Sequence, residues 1–332
     1  MDMKQWVANS IAMKKKKAIP VLSFPSTSLM GITVKELISD SSLQARGMKA
    51  IAERCDTMAT VSMMDLSVEA EAFGATIITD DHEVPSVLGS IINSTEDADK
   101  LQIPAVGTAR TGVYIDTIKK ACELIDDRPV FAGAIGPFSL AGRLMDMTQI
   151  ILNCYDDPDM VHVTLKKTSQ FLINYIDAYK QVGASGVVIA EPAAGLLTPD
   201  LIDEFSTPYI NEIVRATQTD QFAVIYHNCG NVARLLDSIN KIEAYGYHFG
   251  NMIDISEVLP KLPADKPVMG NIDPASQFRN GTPESVYQAT KELLAKCSKY
   301  DNFIISSGCD IPPQSPWENI DAFFNAVADF YG

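Results

Sequence analysis

Residues 222–230 read Phe222-Ala223-Val224-Ile225-Tyr226-His227-Asn228-Cys229-Gly230. Five apolar residues run without interruption and then give way to His, Asn, Cys and Gly. A short continuous apolar run suits a parallel strand buried on both faces, and the abrupt polar change marks where it passes into a loop. The same grammar recurs outward from this stretch. Downstream, Tyr247–Ile253 ends at Asp254, Pro267–Met269 at Asn271-Ile272-Asp273, and Phe303–Ser306 at Gly308-Cys309-Asp310. Upstream, Gly186–Ala190 ends at Glu191-Pro192, and three further candidate strands are Ile19–Phe24, Thr57–Met63 and Val130–Ile135.

Helical patterns fill the intervals. Between Asp159 and Val182, apolar residues recur at Val161, Leu165, Phe171, Leu172, Tyr175, Ile176 and Tyr179. Thr198-Pro199-Asp200 and Thr282-Pro283-Glu284 each pair a threonine cap with proline in the first turn, a helix-start signature. Strand and helix in alternation predict a parallel sheet. Eight such units predict a (β/α)₈ TIM barrel as one α/β domain over residues 1–332, with an N-terminal helical segment and an insertion around 75–111. An open, doubly wound sheet is the alternative.

Composition narrows the function. A net charge of −15 repels phosphate backbones and anionic lipid, which argues against nucleic-acid and membrane-surface partners. The basic run Lys14–Lys17 is expected to be a solvated face. No stretch reaches the ~20 apolar residues of a membrane span, and Met1–Ser10 lacks the apolar core of a signal peptide. Six cysteines in 332 residues are too sparse for a disulfide framework, so a cytoplasmic chain with reduced thiols is expected.

In a barrel all the strand ends named above open on one rim, where this fold builds its sites. His227 and Cys229, two residues apart, point to one side, and the last strand brings Cys309 to the same mouth. One imidazole and two thiolates suit zinc, and three protein ligands leave a fourth position for water or substrate. The competing reading makes both cysteines small buried hydrophobes and His227 a hydrogen-bonded core residue. Glu191 reads as a further ligand, an orienting acceptor for the imidazole, or a paired rim carboxylate. Asp254, Asp273 and Asp310 are candidates for positioning a cofactor or substrate, or for capping helices. Cys55, Cys122, Cys154 and Cys297 read as packing residues, and Asp80-Asp81-His82-Glu83 as a solvated turn.

Larger motifs now resemble a known family. They are Phe73-Gly74-Ala75 with Val84-Pro85-Ser86, Gly133 to Phe138, and Glu191-Pro192-Ala193 on to Leu197-Thr198-Pro199. His227-Asn228-Cys229-Gly230, Gly270-Asn271-Ile272-Asp273 and Gly308 to Pro313 complete the set. Together they span nearly the whole chain and resemble the uroporphyrinogen decarboxylase superfamily, in particular its methylcobamide:coenzyme M methyltransferase branch. The resemblance implies a (β/α)₈ barrel with zinc held by His227, Cys229 and Cys309. It also implies methyl transfer from a methylated corrinoid, carried on a partner protein, to a zinc-activated thiol such as coenzyme M. Other acceptors, such as a reduced pterin, stay open, as does a non-catalytic corrinoid-pathway binder. The decarboxylase branch carries an arginine motif after the first strand; here Ser23-Phe24-Pro25-Ser26-Thr27 stands there, and no arginine precedes Arg46. A polyanionic porphyrinogen would lack its bidentate partners. A sulfonate-bearing acceptor would want a cation at the mouth, with Arg143 and Arg234 as candidates. Met63 and Met64 are candidates to line the opening.

Overall fold

The computed structural model describes residues 1–332. Seven parallel strands form one sheet in the order β1 (Thr60–Val61), β4 (Val130–Ile135), β5 (Gly186–Ala190), β6 (Ala223–Asn228), β7 (Gly246–Phe249), β8 (Val268–Ile272) and β9 (Phe303–Ser307). The intervening pair, β2 (Thr76–Ile78) and β3 (Ser86–Leu88), is a separate antiparallel hairpin.

The eighth place in the ring is taken by the segment around Ile19. Ala18 bridges Thr57 in parallel, and on the other side Ile19 N–H donates to Ile305 O at 3.1 Å. The expected strand Ile19–Phe24 is therefore present in position but not in regular form. Pro20 has no N–H to give the ladder, and a side chain substitutes further on, where Val21 N–H donates to Ser307 Oγ at 3.0 Å. The expected strand Thr57–Met63 is likewise regular only over Thr60–Val61. The fold is a (β/α)₈ barrel, closed by irregular chain.

Apolar residues of the strands serve two cores. Ile19, Val21, Val61, Phe131, Val188, Ala223, Ile225, Met269 and Ile304 form an inner cluster, and a far larger one lies between strands and helices. The inner set alternates along each strand, so the residues two beyond Ile225 and Ile304, His227 and Ser306, continue inward-facing columns. Met3 and Trp6 of the helix Met3–Ala12 pack against the opposite end of the inner cluster, and Met3 N–H donates to Asp220 O just before β6. That helix plugs the barrel floor, leaving access from the mouth.

The Lys14–Lys17 expectation needs correcting at one residue. Helix Met3–Ala12 ends before it, and Lys16 is buried with its amine donating to Ser10 O (2.6 Å) and Ile11 O (3.1 Å). Burial pulls that amine down to about 8. The expected insertion holds the β2–β3 hairpin and the helix Thr95–Lys100. Its turn at Asp80–Glu83 is exposed, with Asp80 accepting from His82 N–H, and Glu83 pairs across the mouth with Arg279 at 2.7 Å. No helix is long and apolar enough to cross a membrane.

Candidate metal centre

His227 lies on β6, one residue before its end, and Cys229 is the first residue past it. Cys309 follows β9 by two residues. The strands curl so that one ligand atom from each of the three lies within 4.8 Å of the other two, and Cys309 Sγ stands 3.6 Å from His227 Nε2. His227 is 1% exposed, while both cysteines are half-buried at the rim. The loop geometry is set locally. Asn228 accepts from Gly230 N–H (2.8 Å) and donates to Glu191 O (2.7 Å), pinning the turn that carries Cys229. Gly250 lets the chain after β7 lie against it, since a Cβ there would fall 2.5 Å from Cys229 Cα.

A buried proton chain orders the imidazole. Ser306 Oγ donates to the carbonyl of Ile19 (2.9 Å), which can only accept. Ser306 Oγ then accepts from His248 Nε2 at 2.8 Å. Burial drives His248 well below its usual pKa, so His248 is neutral and its Nδ1 is an acceptor. His227 Nδ1–H is left to donate to it at 2.7 Å. His227 Nε2 therefore carries a bare lone pair on the side facing Cys309, the tautomer a metal requires. Ser306→Ala is expected to weaken zinc binding about 10- to 100-fold in competition with a chromophoric chelator. Unchanged affinity would remove this ordering.

The sulfurs are set apart from the chain's other thiols. Hydrogen bonding from Cys309, above all, holds Cys229 far below the ordinary thiol range despite burial. Cys309, donating to that thiolate in a buried setting, is pushed well up. Cys55, Cys154 and Cys297 are pushed to about 12 and Cys122 to about 11, all by burial first, as befits packing residues on or beside helices. An imidazole lone pair with two sulfurs in mutual reach fits a tetrahedral zinc ion with one open position.

The carboxylates divide differently from expectation. Glu191 is 0% exposed and turned away: its oxygens accept from Ser139 N–H and Oγ (both 2.6 Å) and Phe138 N–H (3.1 Å), capping the helix Pro137–Met145. Burial pushes it up to about 7. It neither joins the three ligand atoms nor orients His227, which is the work of His248. Asp254 and Asp273 cap the turns that follow them, through Ser256 N–H and through Ala275 and Ser276 N–H. Both also border an open cleft of about 490 Å³ beside the mouth. Asp310 accepts from Met64 N–H at 2.7 Å, has its other oxygen buried without a partner, and is pushed up to about 8 by burial.

His248 escaped the sequence reading because the expected strand Tyr247–Ile253 runs on to Asp254. Instead β7 ends at Phe249 and leaves His248, like His227 and Ser306, next to last in its strand. Ser306 reads in the sequence only as the end of an apolar run. A polar residue in an inward-facing column of apolar ones was their available signal.

Comparison with known proteins places this geometry. The family profile described as "Uroporphyrinogen decarboxylase (URO-D)" matches residues 17–330. The chain is 27% identical over 270 residues to "Methylcobamide:CoM methyltransferase MtbA" of Methanosarcina acetivorans, covering 80% of this chain and 78% of that protein. It is 27% identical over 286 residues to a "Uroporphyrinogen decarboxylase" of Coxiella burnetii, covering 82% and 77%. Among solved structures, a "methyltransferase from Methanosarcina mazei" superposes with a TM-score of 0.86 at 22% identity over 100% of both chains.

Proposed function

The chain belongs to the uroporphyrinogen decarboxylase family, and from that premise we propose that it is a cytoplasmic zinc-dependent methyltransferase. It moves a methyl group from a methylated corrinoid on a partner protein to a thiol such as coenzyme M. The observation that carries this reading is the convergence of His227 Nε2, Cys229 Sγ and Cys309 Sγ at the barrel mouth. Zinc, when bound, lowers the pKa of a coordinated thiol so that it is a nucleophilic thiolate at neutral pH.

The chain's own residues supply the rest. Cys229 and Cys309 as thiolates, with neutral His227, would hold the ion without excess positive charge, leaving electron density on an incoming sulfur. The inner cluster beneath them keeps bulk water from the floor of the site. The rim aims the acceptor sulfur toward a corrinoid docked above it. The sulfur forms the new S–C bond as the methyl–cobalt(III) bond breaks, and that bond's electron pair stays on cobalt, giving cobalt(I).

The test adds methylcobalamin to zinc-loaded protein and follows its absorbance with coenzyme M, 2-mercaptoethanol or tetrahydrofolate as acceptor. Demethylation dependent on acceptor and zinc is the expected result. No turnover with any acceptor would overturn the reading in favour of a binder, and metal-independent carbon dioxide release from uroporphyrinogen in favour of a decarboxylase.

A further inference from the structure

We propose that Cys229 and Cys309 are also a redox couple: a disulfide between them and a bound zinc ion are mutually exclusive states of one site, and oxidation switches the enzyme off reversibly. The sulfur pair itself stands on geometry alone; its effect on activity rests on the zinc-dependent methyltransferase reading.

The two sulfurs differ from the chain's other thiols in reach and in access. They lie within 4.8 Å of each other, and each is carried just past the end of its strand. Side-chain rotation with a small shift of these rim loops closes that gap and leaves the strands in place. Both are half-buried at the mouth, so a small oxidant reaches them. The other four cysteines do not combine these properties. Cys55, Cys154 and Cys297 are buried, and the groups acting on all four, Cys122 included, contain no second cysteine. A thiol without a neighbour stops at a mixed disulfide, whereas a close pair resolves it.

The oxidant that fits is a low-molecular-weight disulfide, RSSR. The sulfur of Cys229, which accepts the hydrogen bond of Cys309, attacks one of its sulfurs as a thiolate. A protein–SR bond forms, and RS⁻ leaves with the electron pair of the broken S–S bond. The Cys309 thiolate then attacks the Cys229 sulfur and expels the second RS⁻. Two electrons pass from the cysteines to RSSR, and the two cysteine protons end on two RSH. The product offers a metal one imidazole and no thiolate, too few ligands for zinc. A thiol reductant reverses both steps. The acceptor of the proposed reaction is itself a thiol, so its own disulfide is an oxidant of this class. Substrate and off-signal are then the reduced and oxidised forms of one pool, and methyl transfer stops when that pool is oxidised. A disulfide in a reducing compartment has this transient, regulatory character.

The test adds oxidised glutathione to zinc-free protein, with thiols counted and mapped by mass spectrometry. Wild type is expected to fall from six free thiols to four, losing the mass of two hydrogens, with Cys229 joined to Cys309. Cys309→Ala is expected to gain one glutathionyl group at Cys229 instead, because nothing resolves it. Saturating zinc should slow loss of the pair at least about 10-fold, and the oxidised protein should bind no zinc until dithiothreitol restores both thiols. Six thiols left free, a glutathionyl group that persists in wild type, or oxidation at the same rate with zinc present would overturn the proposal. A mapped, zinc-protected Cys229–Cys309 bond in a protein that demethylates no methylcobalamin would uphold the redox couple and remove the methyltransferase reading instead.

Discussion

Cys309→Ala is expected to take bound zinc from about one ion per chain to none and to abolish demethylation of methylcobalamin. The substitution leaves one imidazole and one sulfur, and no carboxylate stands ready to replace the lost ligand. Glu191 is committed to Ser139 and Phe138, and Asp310 has one oxygen on Met64 N–H. A structural or catalytic zinc site is worth on the order of 10 kcal/mol of binding, most of it dependent on a complete ligand set. Activation of a nucleophile by metal supplies several kcal/mol of barrier lowering, so a rate loss of at least ~10³-fold follows. The fold should survive, because Cys309 is half-buried at the rim and belongs to neither hydrophobic cluster. Metal analysis alongside circular dichroism reads both quantities. A folded Cys309→Ala protein that keeps its zinc would mean a different ligand set.

Arg110→Ala is expected to cost about 3–5 kcal/mol of stability in urea unfolding, the penalty of stripping a buried carboxylate of its partner. Asp65 has a side chain with 0% exposure and is held by Arg110, by Tyr114 Oη (2.7 Å) and by Ser67. Arg110 also pairs with Glu71 at 2.6 Å. Without the guanidinium, the Asp65 charge stays buried with only hydroxyl and amide donors. Adding Asp65→Asn to Arg110→Ala should recover part of the loss, because the stranded charge is then gone. A loss below ~1 kcal/mol, typical of an exposed pair, would show that water reaches this network. The network has a place in the site as well. Asp65 follows Met64, so the same ion pairs that close the base of the 75–111 segment hold the loop that borders Asp310 and Arg143.

Much of this protein is written locally. Apolar runs that end in polar residues are properties of a few consecutive positions, and they identify β4, β5, β6, β8 and β9 together with the rim that bears His227, Cys229 and Cys309. The fold places the sites of such barrels at strand ends, so the three candidate ligands that converge at the mouth were legible in the sequence. The corrections arise where one residue has several possible partners. Glu191 at a strand end is compatible with a metal, an imidazole or a helix, and only packing against the helix Pro137–Met145 selects the last. Pro20 and the short β1 show the same limit: apolar content marks the strand positions, but backbone hydrogen-bond supply decides whether the ladder is regular.

Three features belong to the tertiary structure alone. His248 meets His227 because the register of β6 against β7 sets them opposite each other. Ser306 completes the proton chain because the barrel closes and brings Ile19 O to β9. Arg143 is half-buried in the last turn of the helix Pro137–Met145 with no carboxylate paired to it. Sequence by itself dictated the kinds of residue at the mouth, since burial pattern and strand ends are short-range. Which lone pairs are free and which charge lacks a counterion depended on contacts between residues far apart in the chain, and those exist only once the ring has closed.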